Sequence, residues 1–145
     1  EAGTQNGPAM AGLTAGIEFL LGEGVAAMHT RLGALKQRLR DALLSVDGVT
    51  VLSPPGLDGV PIVLVRSDVV DAATLAARLD REHGVLVRSG LHCAPEAHRV
   101  LGTCDVGAVR FSLGWCTTAA HVDHAASAVS DITATGGRAV RSTPA

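Results

Sequence analysis

Apolar residues recur every three or four positions through much of the chain, a spacing that predicts helices with one buried face. The clearest stripe consists of Val25, Met28, Leu32, Leu35, Leu39, Leu43 and Val46. The spacing predicts helices over 10–21, 25–46, 72–83, 95–101 and 118–135. Asp71 and Thr118 are predicted N-caps, and Pro95 can open the short fourth helix.

Four short runs rich in Val, Leu and Ile lie between these helices and predict strands. They span 49–52, 60–65, 85–88 and 108–113. The second run is apolar at almost every position, as in a strand covered on both faces, so Pro61 must lie at its start or on an edge. The element order predicts an α/β fold, of the α+β-like two-layer kind, with helices packed on a small mixed sheet.

A length of 145 residues fits one domain. Glycine and proline are frequent near both ends. Residues 1–9 are predicted to form a loop, and Gly136-Gly137 is predicted to end the last helix. We therefore expect a folded domain over 1–135 and a flexible tail over 136–145.

Composition narrows the classes of function and the compartment. The net charge is −2 and there is no basic block, which argues against nucleic acid or an anionic membrane as partner. The apolar runs are far shorter than the ~20 residues of a membrane span. Three cysteines do not form a disulfide framework and the N-terminus has no secretory signal, so we expect a reducing cytoplasm.

Cys93 is the first candidate for chemistry because arginine and histidine surround it. It lies in the segment Arg88-Ser89-Gly90-Leu91-His92-Cys93-Ala94, after a predicted strand. A thiol attacks only as its thiolate, which neighbouring cations stabilise. Two interpretations stay open on these grounds: a reactive nucleophile, or a small residue buried in a loop. Cys104 and Cys116 lack such neighbours and are predicted to be structural.

A metal site is not predicted, although His92, Cys93, His98 and Cys104 fall within a short span. Their spacing matches none of the paired zinc patterns. The adjacent His92 and Cys93 would also point to opposite sides of an extended chain.

Arg110 interrupts the apolar strand 108–113. Burying a lone charge is very costly, so its guanidinium must lie at the mouth of the strand or in a pair. Its planar fork can bind a carboxylate through two parallel hydrogen bonds. A ligand carboxylate and a structural ion pair are both compatible with the sequence.

Three segments together carry a resemblance to a known family. They are Glu1-Ala2-Gly3-Thr4-Gln5-Asn6, then 84–94 with Leu101-Gly102, then Val109-Arg110-Phe111-Ser112-Leu113-Gly114-Trp115 followed by Thr118 and a helix. In order and separation they resemble the carboxy-terminal part of the cysteine desulfurases, pyridoxal-phosphate enzymes of the class V aminotransferase superfamily. The resemblance extends to about residue 134. It implies the small domain of a fold-type I pyridoxal-phosphate transferase.

The resemblance implies the chemistry of the cysteine loop. Cys93 matches the cysteine that attacks the substrate's sulfur and carries it as a persulfide, and Arg110 matches the arginine that binds the substrate carboxylate. Arg88 and His92 are the further substrate-binding residues that it implies. The substrate would be L-cysteine or L-selenocysteine, L-alanine would be the product from cysteine, and a sulfur-acceptor protein would be a further partner.

The resemblance also implies a cofactor and a homodimer. Thr4, next to Gly3, matches the threonine that contacts the cofactor phosphate of the other subunit. The family holds pyridoxal phosphate on a lysine, and the one lysine here is Lys36, which is predicted to lie on an exposed helix edge among arginines. The cofactor lysine is therefore expected in a larger domain preceding Glu1. The chain alone is expected to be inactive.

Several departures leave the subgroup open. Ala119 and Ala120 stand where the family has acidic residues, which predicts a weaker cap on the last helix. The alternatives are a selenocysteine lyase, another superfamily member such as an epimerase, lyase or aminotransferase with Cys93 in a different role, and a non-catalytic module that carries sulfur received from elsewhere.

Overall fold

The computed structural model describes residues 3–57 and 59–139, with side chains described up to residue 136. Its elements are α1 (Gly7–Glu23), α2 (Val25–Leu44), β1 (Val49–Val51), β2 (Ile62–Ser67), α3 (Ala72–His83), β3 (Arg88–Gly90), α4 (Pro95–Leu101), β4 (Ala108–Ser112) and α5 (Ala119–Ala139). This order of helices and strands confirms the order predicted from the apolar periodicity. The bounds of α3 and α4 agree with the prediction at both ends.

The chain divides into two compact units, Glu1–Arg31 and Leu32–Ala145. The division falls within α2, and all four strands belong to the second unit. In the first unit, α1 keeps the large apolar side chains of its predicted stripe exposed, among them Leu13, Ile17 and Leu20. No single described helix is long and apolar enough to cross a membrane, and α1 and α2 meet that criterion only as a bent pair.

The sheet is antiparallel throughout, so the predicted mixed sheet is wrong. Its strand order is β1-β2-β4-β3, and every neighbouring pair is antiparallel. The crossover through α3 leaves β2 and β3 pointing the same way, as expected of a βαβ connection. However, β4 lies between them and pairs with both. The last strand in the sequence therefore separates the two strands that would have formed a parallel pair.

One face of the sheet carries the core of the second unit. Val63, Val65, Val109 and Phe111 on this face are at most 4% exposed. They pack with residues of α2, α3 and α5, including Leu39, Leu43, Leu75, Leu79, Val122, Val129 and Ile132. Burying each such large side chain contributes roughly 1.5–3 kcal/mol. The prediction that helices pack on a small sheet is confirmed, and the residues between these core positions face away from the helices.

The start of α1 corrects the predicted loop over 1–9. The side chain of Asn6 accepts a hydrogen bond from the Ala9 N–H at 3.1 Å, and Pro8 occupies the first turn. Asparagine is a favoured N-cap, and proline is tolerated in the first turn because the N–H it lacks has no helical partner there. The helix therefore begins at Gly7, three residues before the predicted start at Met10.

The position of β3 differs from the predicted strand over 85–88. The Val85 N–H donates to the carbonyl of Leu79 at 2.9 Å, which completes the end of α3 and removes that donor from any strand pairing. Val85 and Val87 instead pack against the core from an irregular segment. Sheet pairing begins only at Arg88, so this residue opens the strand instead of closing it.

The predicted N-cap of α5 is confirmed, and its predicted end is wrong. Thr118 Oγ1 accepts from the His121 N–H at 3.2 Å, and His121 Nδ1 accepts from the Thr118 N–H at 3.4 Å, so the cap is reciprocal without an acidic residue. At the other end the helix runs through Gly136-Gly137 to Ala139. A Cβ on Gly136 would lie 2.6 Å from a methyl of Val70, so this glycine permits close packing and does not end the helix. Residues 140–145 of the predicted tail lie outside the described part of the chain.

Candidate active site

Two arginines lie directly opposite each other on β3 and β4. Arg88 is the register partner of Arg110, so their side chains leave the same face of the sheet. This is the face away from the helices, because the neighbouring Val109 and Phe111 point into the core. Like charges at opposed positions repel, and an anion bound between them would relieve that repulsion. The pairing of β3 with β4 therefore creates a position that favours a bound anion, next to the β3 edge of the sheet.

Arg110 carries a buried donor with no partner. Among the described residues, its Nε is the buried side-chain nitrogen or oxygen that lacks a hydrogen bond. The ion pairs formed within the described residues do not include Arg110, so no structural ion pair is present there. A buried N–H left unsatisfied costs about 1–3 kcal/mol. A carboxylate binding side-on to the guanidinium would satisfy this donor.

Cys93 lies in the tight turn that follows β3. His92 and Cys93 both have positive φ, 54° and 58°, a conformation that non-glycine residues adopt at a cost of about 1–2 kcal/mol each. The bond from the Ala94 N–H to the carbonyl of Leu91, at 2.9 Å, closes the turn. Cys93 is exposed, so the interpretation as a buried thiol is wrong. The turn presents the thiol to solvent two residues before α4.

His92 ties the cysteine turn back to the arginine strand. Its Nε2 lies 3.2 Å from the carbonyl of Arg88, and its Nδ1 lies 3.4 Å from Nε2 of His98. Burial lowers the pKa of His92 below 6.5, and the charges of Arg110, His98 and Arg88 lower it further, against the opposing effect of the hydrogen bond to Arg88. His92 is therefore an uncharged residue at neutral pH, next to Cys93 in the chain and within electrostatic reach of Arg110 and Arg88.

Thr103 is a site residue that the sequence did not single out, and His98 was considered only as a neighbour of Cys93 and as a metal ligand. His98 on α4 is 2% exposed and Thr103 is fully buried. His98 Nδ1 lies 2.8 Å from Thr103 Oγ1. The signal available in the sequence was two polar residues, five positions apart, at the end of a short helix directly after the cysteine segment. Burial of both could not be read from that pattern.

The other two cysteines, which are predicted to be structural, are also exposed. Cys104 and Cys116 are both free and exposed, and the Cys104 thiol lies 3.8 Å from the carbonyl of Pro95. Three accessible thiols are present in total. Within the described residues, no three His, Cys, Asp or Glu side chains are arranged to hold a metal ion.

Gly3 and Thr4 belong to the first unit, where both are exposed. They lie three and two residues before Asn6, the N-cap of α1. The structure thus places the predicted cofactor-binding residues in one unit, and the predicted substrate-binding residues Arg88, His92 and Arg110 with Cys93 in the other.

Lys36 is buried, which corrects its predicted place on an exposed helix edge. It is 4% exposed, on the same side of α2 as Leu39 and Leu43. A long apolar stem allows lysine to share a buried face with leucine. The predicted exposure of Lys36 is wrong because the spacing of apolar residues does not show that the aliphatic part of a lysine side chain can lie on a buried helix face.

A cavity of about 1090 Å³ lies beside the site but does not contain it. Its wall includes Ser89, Gly90 and Leu91 on one side and Cys104 to Gly107 on another. Neither Cys93 nor Arg110 lines it. Cys93 and Arg88 instead lie exposed on the second unit, and Arg110 is half-buried beside Arg88.

Comparison with known families decides the classification. The family model for the class-V aminotransferases matches residues 1–124. The chain belongs to this family. A cysteine desulfurase of Cereibacter sphaeroides is 35% identical to this class-V aminotransferase family member over 133 residues, which are 84% of the chain and 33% of the relative. A probable cysteine desulfurase of Pseudomonas aeruginosa is 41% identical over 119 residues, 79% of the chain and 27% of the relative.

Solved structures give the same result for the fold. A cysteine desulfurase from Thermococcus onnurineus superposes with a TM-score of 0.84 at 27% identity, covering 93% of the class-V chain and 33% of its own. One from Escherichia coli superposes with a TM-score of 0.81 at 25% identity, covering 93% and 32%. The predicted fold class, a portion of a fold-type I pyridoxal-phosphate enzyme, is confirmed. The chain spans about a third of the length of the relatives it matches.

Proposed function

We propose that the chain is the small domain of a pyridoxal-phosphate cysteine desulfurase, in which Cys93 accepts sulfur from L-cysteine. One observation carries the proposal. The partnerless Nε of Arg110 belongs to the strand next to β3, and β3 is the edge strand that carries Arg88 and leads into an exposed cysteine turn. A carboxylate-binding fork beside an accessible thiol fits an amino-acid substrate whose sulfur must reach that thiol. The cysteine desulfurases among its relatives support the same assignment.

The proposed step joins two sulfur atoms. Arg110, with Arg88 opposite, binds the substrate carboxylate and sets the direction of its side chain. The Cys93 thiolate forms a bond to the substrate sulfur as the carbon–sulfur bond breaks. The bonding electrons stay on the carbon, which takes up a proton and leaves as the methyl group of alanine. Cys93 is left as a persulfide, for transfer to an acceptor.

Pyridoxal phosphate fits this chain only as a group held mainly by other residues. Members of the class-V aminotransferase family use this cofactor, which when bound withdraws electrons from the substrate's carbon skeleton. The exposed Thr4 and the backbone of Gly3 could contact its phosphate, whereas the single lysine, Lys36, is buried in α2. We infer that the anchoring lysine lies in a preceding larger domain.

The same proposal places the complete protein in a homodimer and in the cytoplasm. Thr4 would reach the cofactor phosphate of the partner subunit, which gives the dimer a chemical role. Three exposed free thiols favour a reducing compartment, where they would not be oxidised to disulfides.

The decisive experiment replaces Cys93 with alanine in the complete gene product, loaded with pyridoxal phosphate. With L-cysteine and a thiol reductant, we expect alanine and sulfide production to fall by at least about a hundredfold, because the covalent acceptor of the sulfur is gone. Alanine is measured by chromatography, and the persulfide by mass spectrometry of the Ser89–Arg99 tryptic peptide.

Cys104→Ala and Cys116→Ala are matched controls, since both remove an exposed thiol outside the turn. They should retain most of the activity. Normal sulfur release by Cys93→Ala would refute the proposal, and loss of activity in Cys104→Ala alone would move the acceptor role to that thiol.

A further inference from the structure

A chain of three hydrogen bonds runs from the interior of the second unit to the cysteine turn. It starts at the fully buried Thr103, whose Oγ1 is 2.8 Å from Nδ1 of His98. It continues from His98 Nε2 to His92 Nδ1 at 3.4 Å and ends with His92 Nε2 at 3.2 Å from the carbonyl of Arg88. The two imidazole rings are 5.6 Å apart and 30° from parallel.

The hydrogen-bond chain fixes the position of every proton when both histidines are neutral. A carbonyl only accepts, so His92 Nε2 must carry the hydrogen that it donates to Arg88. His92 Nδ1 is then an acceptor, and His98 must donate to it from Nε2. His98 Nδ1 is in turn an acceptor, which leaves Thr103 as the donor through its hydroxyl. The carbonyl of Arg88 thus sets the tautomer of both rings, and the buried threonine completes the chain as its terminal donor.

This chain of bonds holds the strained part of the turn. His92 and Cys93 are the two described non-glycine residues with positive φ. Two such conformations persist only where surrounding contacts over-determine them. His92 is bound on one side to β3 through Arg88 and on the other to α4 through His98. His92 is therefore held from both sides, and this restricts the backbone of Cys93, the next residue.

The charges around His92 favour its neutral form. Burial lowers the pKa of His92 most, against the hydrogen bond to the Arg88 carbonyl, and the charged or titratable groups around it, Arg110 of β4, His98 of α4 and Arg88 of β3, lower it further. Because the pKa in the folded chain lies below 6.5, the unfolded chain binds this proton first as the pH falls. The stability that His92 contributes is therefore complete above pH 6.5 and is lost below it.

We propose that His98, which is hydrogen-bonded to Thr103, is a positioning residue that donates to His92, stabilises its Nε2–H tautomer and so fixes the position of Cys93 relative to the Arg88–Arg110 pair. This inference rests on the proposed carboxylate role of that pair. His98 touches neither substrate nor cofactor in it. Its effect passes through His92 to the orientation of the thiol.

The first test is nuclear magnetic resonance of the 145-residue chain, with long-range proton–nitrogen spectra of the imidazole rings. The wild-type chain should show His92 as the Nε2–H tautomer, titrating below pH 6.5. In His98→Leu the donor to Nδ1 is lost, so the pKa of His92 should rise toward 6.5 and the tautomers should mix. His98→Gln keeps one amide donor and one acceptor and should restore the wild-type tautomer.

The second test measures alkylation of Cys93 by iodoacetate, which carries a carboxylate, against neutral iodoacetamide. Trypsin separates the three thiols into peptides 89–99, 100–110 and 111–138, so Cys104 and Cys116 serve as internal references. The iodoacetate-to-iodoacetamide ratio at Cys93 should exceed that at the references by about threefold, the size expected of a partly exposed charge contact. His98→Leu should reduce the ratio to the reference value, and His98→Gln should retain it.

Arg110→Met distinguishes this inference from the proposed function; its merged peptide 100–138 is resolved by fragmentation. If Arg110→Met leaves the ratio at Cys93 unchanged, the carboxylate site fails. If Arg110→Met lowers the ratio but His98→Leu alters neither the ratio nor the tautomer, only the positioning role fails. Should His98→Leu not fold, His98→Phe keeps a planar ring without the donor to His92, and an unchanged His92 tautomer in that variant overturns the inference.

Discussion

At the scale of single residues, Arg110 combines an energetic cost with a candidate role. Its guanidinium lies opposite Arg88, so two positive charges share one face of the sheet. Its Nε is also buried without a partner. Natural cores rarely retain such a group, and a binding site is one setting in which the cost is recovered when a ligand arrives. The effect of Arg110 on stability and its role in ligand binding can therefore be measured separately.

We predict that Arg110→Met stabilises the 145-residue chain by about 1 kcal/mol, since methionine keeps the apolar stem without the buried donor. Arg88→Met is the matched control: it relieves the same repulsion but removes an exposed side chain. Urea unfolding followed by circular dichroism measures both variants. An Arg110→Met chain less stable than Arg88→Met would show that the buried Nε is not a cost.

At the scale of elements, the pairing of β3 with β4 depends on a close approach between the backbones at Gly90 and Gly107. A Cβ on Gly107 would lie 3.1 Å from Cα of Gly90, the last residue of β3. Gly107 immediately precedes β4, whose first residue Ala108 pairs with Gly90. Any side chain at 107 would therefore push apart the strands that bring Arg88 opposite Arg110. The segment between β3 and β4 contains the cysteine turn and α4, and it returns to the sheet through this close contact between Gly107 and Gly90.

We predict that Gly107→Ala destabilises the chain by about 1 kcal/mol more than Gly102→Ala. Both glycines have φ of +67°, so both substitutions incur the same left-handed strain, but an added Cβ at Gly102 meets no described atom within 4 Å. The difference between the two midpoints in urea isolates the clash with Gly90. Equal losses would mean that the β3 edge yields without cost.

At the scale of the whole molecule, the candidate site is partly open to solvent. Cys93 and Arg88 are exposed, and the neighbouring cavity contains neither Cys93 nor Arg110. The chain spans about a third of its relatives. Its single lysine is buried on α2, where an aldehyde would have to displace core packing to reach the amine. The residues present thus supply sulfur acceptance and carboxylate binding in the proposed reaction, and the cofactor anchor is assigned to residues elsewhere.

We predict that the folded chain, incubated with pyridoxal phosphate and reduced with borohydride, gains no stoichiometric adduct on Lys36. The reason is burial, so the same chain in guanidinium chloride should label this lysine readily. Peptide mass spectrometry measures both. A stoichiometric Lys36 adduct in the folded chain, with alanine released from L-cysteine, would show that the chain anchors its own cofactor.

Local sequence patterns predicted most elements and the cysteine segment. They failed where the structure depends on a contact with a residue far away in the chain. The repeat of apolar residues located α3 and α4 to the residue because caps and periodicity are local. The same pattern misplaced β3, since the Val85 N–H is taken by Leu79, and misjudged Lys36, whose burial depends on what packs against α2. The glycine pair wrongly predicts a helix end at Gly136, because the close contact between Gly136 and Val70 cannot be inferred from the sequence.

The sequence by itself determined the order of elements, the cysteine segment and its family resemblance, because periodicity, capping and motif spacing are properties of neighbouring residues. Only the tertiary structure decided that β4 lies between β2 and β3, which sets Arg88 opposite Arg110. Only the tertiary structure exposed Cys93, left Nε of Arg110 without a partner and buried His98 and Thr103 behind His92. Strand pairing and burial join residues far apart in the chain, and their free energies depend on the assembled core.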